Sequence, residues 1–146
     1  MGSASGADRS APDVTREELL RQTPPAIRAA FGDEAWRLED LWAITGPVTR
    51  VSVTALDWLL DLPLWQRDGM RFQVSPREVL NVPDQFPDHL ARVRAVDVTF
   101  PVHAVRRSHG VAILDGYHRL LSTILDGGTS VPAIVLSPAQ LASISG

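Results

Sequence analysis

The sequence predicts an α/β (α+β) fold class, with helices flanking a small sheet, and three observations favour it. One is a strand, glycine turn, helix and strand within residues 111–136, whose helix carries leucine and isoleucine at helical spacing. Another is a strand pattern at residues 48–53, where Val51 and Val53 alternate with polar residues. The third is a set of capping signals that begin helices around these strands.

The chain of 146 residues is long enough for one domain with a real core, and we divide it into three parts. Residues 1–14 are small and polar and are expected to form a disordered tail. Residues 15–45 are predicted to form an N-terminal helical segment, and residues 46–146 form the main domain. The boundary falls there because Gly46 and Pro47 interrupt the chain.

The helices of the N-terminal segment are predicted from their end signals. Thr15 and Glu18 form a capping box for the first helix. A second helix over residues 26–31 ends at Gly32, and Asp33 is expected to cap a third one. The core-facing side of this third helix is expected to carry Leu38, Leu41 and Trp42.

The first strand of the main domain is followed by a short helix and a loop. Thr54 is expected to cap the helix, which continues to Leu60, and Trp65 is placed on the loop that follows. A tryptophan on a loop can stack on a nucleotide base or simply cover the core, and the sequence leaves both roles open.

A second capping box is formed by Ser75 and Glu78, with Pro76 at the favoured first helical position. Glu78 is therefore predicted to be a cap partner, with a carboxylate for general-base or Mg²⁺ chemistry as its alternative role. A loop over residues 81–87 and a helix over residues 88–95 follow.

A strand over residues 98–105 is predicted to turn through residues 106–110 into the strand of the central unit. Asp97 precedes this strand and is a second candidate for a catalytic carboxylate. A third capping box, formed by Ser137 and Gln140, begins a last short helix.

The residues of the central glycine turn indicate an anion-binding site. Gly116 allows a ligand to approach the backbone, and the helix that begins near Tyr117 presents free backbone N–H groups and partial positive charge. Arg119 lies in the first turn, where a cation opposes the helix dipole, and a bound phosphate would remove that conflict. The alternative is that His118 and Arg119 form an exposed pair on an ordinary helix.

A resemblance to the ParB/sulfiredoxin superfamily rests on residues 114–120 (LDGYHRL), Gly127 and residues 131–135, within roughly residues 48–136. In that superfamily such a turn opens a helix that holds nucleotide phosphates. Its members include chromosome-partition CTPases, sulfiredoxins, ParB-like nucleases and free-serine kinases. The resemblance implies a compact domain with a small mixed sheet. It also implies that nucleotide is bound by four residues: Gly116, Tyr117, His118 and Arg119.

Composition excludes several functions. The chain has no cysteine, which excludes disulfides, thiolate zinc sites and cysteine nucleophiles, and Tyr117 stands where a sulfiredoxin needs its cysteine. A formal net charge of -3 argues against tight non-specific binding to nucleic acid. Residues 120–146 hold one strand and one short helix, so the helix-turn-helix region of partition proteins is not expected there.

The expected location is the cytoplasm, with no membrane partner. No apolar run approaches the ~18 residues that a membrane span needs. The first residues lack the basic-then-apolar pattern of a signal peptide.

The residues and the resemblance together predict a nucleotide-dependent enzyme that takes ATP or CTP with Mg²⁺, either a small-molecule kinase or a nucleotide hydrolase. Arg119 is expected to pair with phosphate in a forked contact. His118 is expected to donate to phosphate or to act as an acid near neutral pH. Asp115 either stabilises the turn or reaches Mg²⁺. The candidate catalytic residues are Asp115, His118, Glu78 and Asp97.

Two other classes of function remain as alternatives. One is a DNA-associated ParB-like protein or nuclease, and the other is a non-catalytic module that senses a nucleotide or binds a partner protein. The partners expected first are a nucleotide and a small-molecule acceptor, with nucleic acid ranked below them. The oligomeric state is left open, with a dimer among the options.

Overall fold

The fold is seen in a computed structural model, which describes residues 23–32, 36–108 and 110–145. The helices are α1 Pro25–Phe31, α2 Leu38–Trp42, α3 Val53–Leu56, α4 Pro76–Asn81, α5 Pro87–Ala95, α6 Tyr117–Leu125 and α7 Pro138–Ile144. The strands are β1 Thr49–Ser52, β2 Trp65–Arg67, β3 Met70–Val74, β4 Val102–Arg107, β5 Gly110–Asp115 and β6 Ser130–Leu136. Short 3₁₀ helices are formed by Asp57–Asp61 and Pro83–Gln85.

Four of the strands form one mixed sheet in the order β1-β6-β4-β5, and β2 and β3 form a separate hairpin. β6 runs antiparallel to β1 and parallel to β4, whereas β4 and β5 are antiparallel. The predicted central unit is therefore β5, α6 and β6, with β4 inserted between its two strands. The α/β (α+β) fold class and the small mixed sheet are confirmed.

Apolar side chains cover both faces of the sheet, as the alternation along β6 shows. Val131 and Ala133 join the larger buried cluster, whereas Ile134 and Leu136 join the smaller one. This is the period of two that a strand buried on both faces requires. In the larger cluster, α6 contributes two side chains with no exposed surface, and burial of each contributes about 2 kcal/mol. They are Leu120 and Leu121.

The turn before α6 requires glycine for two reasons. Gly116 has φ +117°, a backbone conformation that residues other than glycine rarely adopt. A Cβ atom at this position would lie 2.5 Å from Cγ1 of Val102 on β4. The turn is therefore packed closely against the sheet, and the predicted strand, glycine turn and helix are confirmed.

The predicted capping boxes that lie within the described residues are confirmed. The Ser75 hydroxyl accepts from the Glu78 backbone N–H, and the Glu78 carboxylate accepts from the Ser75 backbone N–H. Ser137 and Gln140 make the same reciprocal pair at α7. The box at residues 15–18 and the tail at residues 1–14 lie outside the described residues.

Two element starts in the main domain differ from the prediction by two or more residues. The cap of α3 is Ser52 and not Thr54, because the Ser52 hydroxyl accepts from the backbone N–H of Ala55. β4 begins at Val102 and not at residue 98. The four residues before it are excluded from the strand by a turn that Asp97 stabilises, its carboxylate accepting from the backbone and hydroxyl of Thr99.

The prediction that Trp65 lies on a loop is wrong, because Trp65 begins β2 and pairs with Val74 of β3. Asp68 and Gly69 form the connecting turn, with φ values of +52° and +81°. An Asp-Gly pair with positive φ is a favoured connection between antiparallel strands, since its twist matches theirs. The hairpin gives Trp65 a fixed position beside α5 and α6.

The helix α2 buries less of its surface than predicted. Leu41 is fully buried, but Leu38 and Trp42 are 45% and 55% exposed. The five-residue helix is too short to bury a full apolar face, and the Trp42 indole turns to a hydrogen bond with Asp115. The helix begins at Leu38, and the predicted cap residue, Asp33, lies outside the described residues.

The second predicted helix of the N-terminal segment is confirmed as α1, and Gly32 follows it with φ +78°. In the part of the chain that the structure describes, no helix has the length and apolar character needed to cross a membrane.

Candidate functional site

A cavity of about 480 Å³ lies at the N-terminus of α6, and we call it the motif cavity. Its lining includes every residue of the predicted turn from Asp115 to Arg119. The remaining lining residues are mostly apolar or aromatic and come from distant parts of the chain: Ile27, Phe31, Leu64, Trp65, Phe72, Val96 and Leu114. The fold thus brings aromatic rings from α1, β2 and β3 to the predicted anion-binding turn.

The start of α6 contributes backbone donors and one buried phenol. Gly116 makes no side-chain cap, so the first backbone N–H groups of this nine-residue helix are not capped by the residue before it. The Tyr117 hydroxyl donates to the Ile113 carbonyl at 2.8 Å, and burial raises the pKa of this phenol. Tyr117 therefore presents its ring to the cavity, while its hydroxyl stabilises the turn.

Arg119 is held by the protein itself. One nitrogen, Nη2, donates to Oδ2 of Asp115 at 3.1 Å, and the other, Nη1, donates to the Pro101 carbonyl at 2.9 Å. The side chains of Arg119 and Asp115 are 19% and 26% exposed. The carboxylate one turn earlier thus offsets the unfavourable placement of a cation at the helix N-terminus.

The Asp115 carboxylate binds two side-chain donors through the same oxygen. Oδ2 accepts from Nε1 of Trp42 at 2.8 Å as well as from Arg119. The Oδ1 atom accepts no hydrogen bond from the described residues and belongs to a side chain that lines the motif cavity. Asp115 could therefore give one oxygen to a ligand while the other stays in its protein network.

A stack of three rings lies beside the motif cavity, and two of its members, Trp65 and His118, line that cavity. The Nδ1 atom of His89 and the Nε2 atom of His118 are 3.2 Å apart, and the two rings are close to coplanar, at 15°. The Trp65 indole covers both imidazoles, with ring-centre distances of 4.3 Å to His89 and 4.7 Å to His118. An extended indole thus covers a hydrogen-bonded histidine pair.

The histidine pair favours its neutral form. Burial, then the charges of His89 and Arg92, lower the pKa of His118 to about 4, although Asp115 opposes the shift. Burial, then the charge of Arg92, also lower the pKa of His89. At pH 7 His118 is therefore a neutral imidazole in this arrangement, which disfavours the expected role of a protonated acid.

The other two candidate carboxylates lie away from the motif cavity. Neither Glu78 nor Asp97 is among the residues that line it. Glu78 is exposed and serves its capping box, and Asp97 stabilises the turn before β4. The fold therefore brings Asp115 and His118 to one cavity with Gly116, and it does not bring the other two carboxylates there.

Among the residues that the structure describes, no group of three or more His, Asp or Glu side chains is arranged to hold a metal ion. A single carboxylate with one oxygen accessible to the cavity is a typical partial ligand for Mg²⁺, which keeps several waters and also binds substrate phosphates. Asp115 is the side chain that fits this description in the motif cavity.

Sequence reasoning missed His89 and the contact from Trp42. Both reach the site through packing between segments 29 and 73 residues apart, for which the sequence gives no local signal. The position of Trp65 did have a signal. Asp68-Gly69 between alternating apolar and polar residues is a typical hairpin pattern and would have placed Trp65 on a strand.

Comparisons with known proteins leave the site to be interpreted from its own geometry. No protein-family model matches the chain, and no curated protein matches it.

Proposed function

We propose that this chain is a ParB/sulfiredoxin-like domain that binds a nucleoside triphosphate, ATP or CTP, in the motif cavity. One observation carries the proposal. The residues of the predicted phosphate-binding turn line a single cavity together with the aromatic rings of Phe31, Trp65 and Phe72. A volume of about 480 Å³ is within the usual range for small-molecule sites.

The two kinds of group in the lining suit the two parts of a nucleotide. Aromatic rings bind the faces of bases by stacking, with a contribution of about 1–3 kcal/mol per base. The N-terminus of α6 presents backbone N–H groups and partial positive charge, which favour phosphate. A neutral His118 can donate its Nδ1–H to a phosphate oxygen in the tautomer whose Nε2 accepts from Nδ1 of His89.

The role that we assign to Arg119 differs from a direct phosphate clamp. Its guanidinium is already bound to Asp115 and to the Pro101 carbonyl. Phosphate binding would therefore either share this guanidinium or displace Asp115 from it. Displacement would free the Asp115 carboxylate to hold Mg²⁺, which would supply positive charge near the phosphates.

The reaction that we propose is phosphoryl transfer to a small-molecule acceptor or hydrolysis of the nucleotide. Such chemistry asks a protein mainly for positioning and charge neutralisation. In this proposal Mg²⁺, held by Asp115, supplies charge neutralisation when bound, and the chain supplies the helix N-terminus, His118 and Arg119. Binding without turnover would instead support the non-catalytic sensing module.

Calorimetric titration with ATP, CTP, GTP and ADP, each with and without Mg²⁺, tests the proposal. The matched variants are Val96→Trp, which fills part of the motif cavity, and Val98→Trp, at a more exposed position two residues further on that does not line it. We expect one triphosphate to bind, with affinity reduced at least about tenfold by Val96→Trp and unchanged by Val98→Trp. The absence of binding, or binding that Val96→Trp leaves intact, would refute the proposal.

A further inference from the structure

A second cavity, of about 600 Å³, lies on the other side of the ring stack, and we call it the hairpin cavity. It is formed by β2, the turn that follows β2, and residues 85–92, which lead into and include most of α5. Its lining residues are Leu64, Trp65, Gln66, Arg67, Asp68, Gly69, Gln85, Phe86, Pro87, Asp88, His89 and Arg92. Leu64 and Trp65 also line the motif cavity, so the two cavities share a wall.

The hairpin cavity is lined by two arginines that have no ion-pair partner among the described residues. Within the described ranges, neither Arg67 nor Arg92 has a carboxylate oxygen within 4 Å, although two carboxylates line the same cavity. Arg67 lies over the Phe86 ring, 5.5 Å from its centre, which fixes the direction of its charge. These two cations are therefore available to a ligand.

Arg92 acts electrostatically on the imidazole rings of His89 and His118. It is one of the causes that lower the pKa values of His89 and His118, after burial. Because Arg92 acts on both imidazoles and pairs with no carboxylate among the described residues, its positive potential favours an anion in the adjoining cavity.

The carboxylates of the cavity limit what kind of anion fits. Asp68 lies in the hairpin turn and Asp88 in the first turn of α5. These two carboxylates balance the charges of Arg67 and Arg92, so the ionised side chains of the cavity have a net formal charge of zero. This balance disfavours a highly charged polyphosphate. Ionised carboxylates only accept hydrogen bonds, so they select donors such as hydroxyl groups. The lining therefore fits a small molecule with one anionic group and one or more hydroxyls.

We propose that the hairpin cavity is a second ligand site, which binds a small hydroxylated anion through Arg67 and Arg92 on its anionic group and through Asp68 and Asp88 on its hydroxyls. Anion binding rests on the cavity alone. That this ligand acts on the nucleotide side through the two histidines rests on the proposed function.

The ring stack places the two ligands on opposite sides of one hydrogen-bonded pair. His89 lines the hairpin cavity and His118 lines the motif cavity, and their facing nitrogens are 3.2 Å apart. A donor nitrogen on either ring fixes the tautomer of the other through this bond. A ligand that hydrogen-bonds to His89 therefore sets whether His118 presents an N–H or a lone pair to the nucleotide side.

The anion site is tested on the full chain by heteronuclear NMR of the histidine rings and by calorimetry. The probes are glycerol 3-phosphate, glycerate and inorganic phosphate, each added at constant ionic strength. We expect a hydroxylated probe to bind and to shift the His89 resonances, with inorganic phosphate binding more weakly because it cannot reach Asp68 and Asp88. Comparison of glycerol 3-phosphate with glycerate distinguishes a phosphate group from a carboxylate.

Matched variants locate the binding. Arg67→Gln and Arg92→Gln should each reduce affinity about tenfold, since each removes a charged hydrogen bond. Arg94→Gln, on the same helix but outside the cavity lining, should leave affinity unchanged. Val96→Trp should also leave it unchanged. Loss of anion binding in Val96→Trp, retention in Arg92→Gln, or no binding of any probe would overturn the proposal.

The two proposals fail separately. Anion binding in a chain that binds no nucleotide would establish the hairpin cavity as a site and refute its coupling to a nucleotide. Nucleotide binding in a chain that binds no hydroxylated anion would refute the second site and leave the proposed function standing.

Discussion

The guanidinium of Arg119 donates to the Asp115 carboxylate over 3.1 Å, although the two residues lie at the helix end where a cation is least favoured. The same guanidinium donates to the Pro101 carbonyl. This one side chain therefore links the end of β5, the start of α6 and the segment before β4. It stabilises the wall of the motif cavity in the ligand-free chain.

Arg119→Ala should therefore lower the free energy of unfolding as well as any nucleotide affinity. We expect a loss of about 2 kcal/mol, because the substitution leaves a partly buried carboxylate and a carbonyl without their donor. Arg119→Lys should lose less, since it keeps the charge but not the two-pronged geometry. Urea unfolding measures both values.

The control for this prediction is Arg37→Ala, which removes an ion pair with Glu39 whose side chains are 74% and 67% exposed. Exposed pairs of this kind contribute little, so no measurable change is expected. Equal stability of Arg119→Ala and the wild-type chain would show that the contacts to Asp115 and Pro101 do not stabilise the fold.

Asp115→Asn separates a metal-binding role from a structural one. Asparagine keeps an oxygen that can accept from Trp42 and Arg119, but it removes the negative charge that Mg²⁺ needs. We expect nucleotide affinity without Mg²⁺ to be unchanged or higher, and the increase on adding Mg²⁺ to disappear. Calorimetry with and without the metal measures this. An undiminished Mg²⁺ effect in Asp115→Asn would exclude Asp115 as the ligand.

The parts of the site that the sequence could predict are those set by neighbours along the chain. The capping box of Ser75 and Glu78 and the turn at Gly116 depend on geometry within four residues, and both are confirmed. The pairing of His89 with His118 and of Trp42 with Asp115 depends on how separate helices pack. That packing is decided by the whole core, so residue patterns alone could place Arg119 at the helix start but could not find its partners.

Gly116→Ala tests whether the turn is as constrained as it is in the structure. The substitution combines a backbone at φ +117° with a Cβ atom 2.5 Å from Val102 Cγ1, and we expect it to cost about 3 kcal/mol. Gly127→Ala is the matched control, because φ is +79° there but no atom lies within 4 Å of the new Cβ. It should cost only about 1–2 kcal/mol. Similar losses in the two variants would mean that packing against β4 adds nothing.

The neutral histidine pair predicts how stability depends on pH. The folded chain keeps His118 neutral down to a pKa of about 4, whereas the unfolded chain binds its proton at the ordinary value of about 6.5. The contribution of His118 to the free energy of unfolding is therefore fully present above about pH 6.5 and is lost as the pH falls towards about 4. His89 acts in the same direction.

The variant His118→Phe can still stack on Trp65 but cannot titrate, so its free energy of unfolding should fall less over this range. Urea unfolding at several pH values compares the two chains, and NMR follows the His118 ring directly. A ring that titrates near its ordinary pKa, or an equal pH dependence in His118→Phe, would show that the stack does not hold the imidazole neutral.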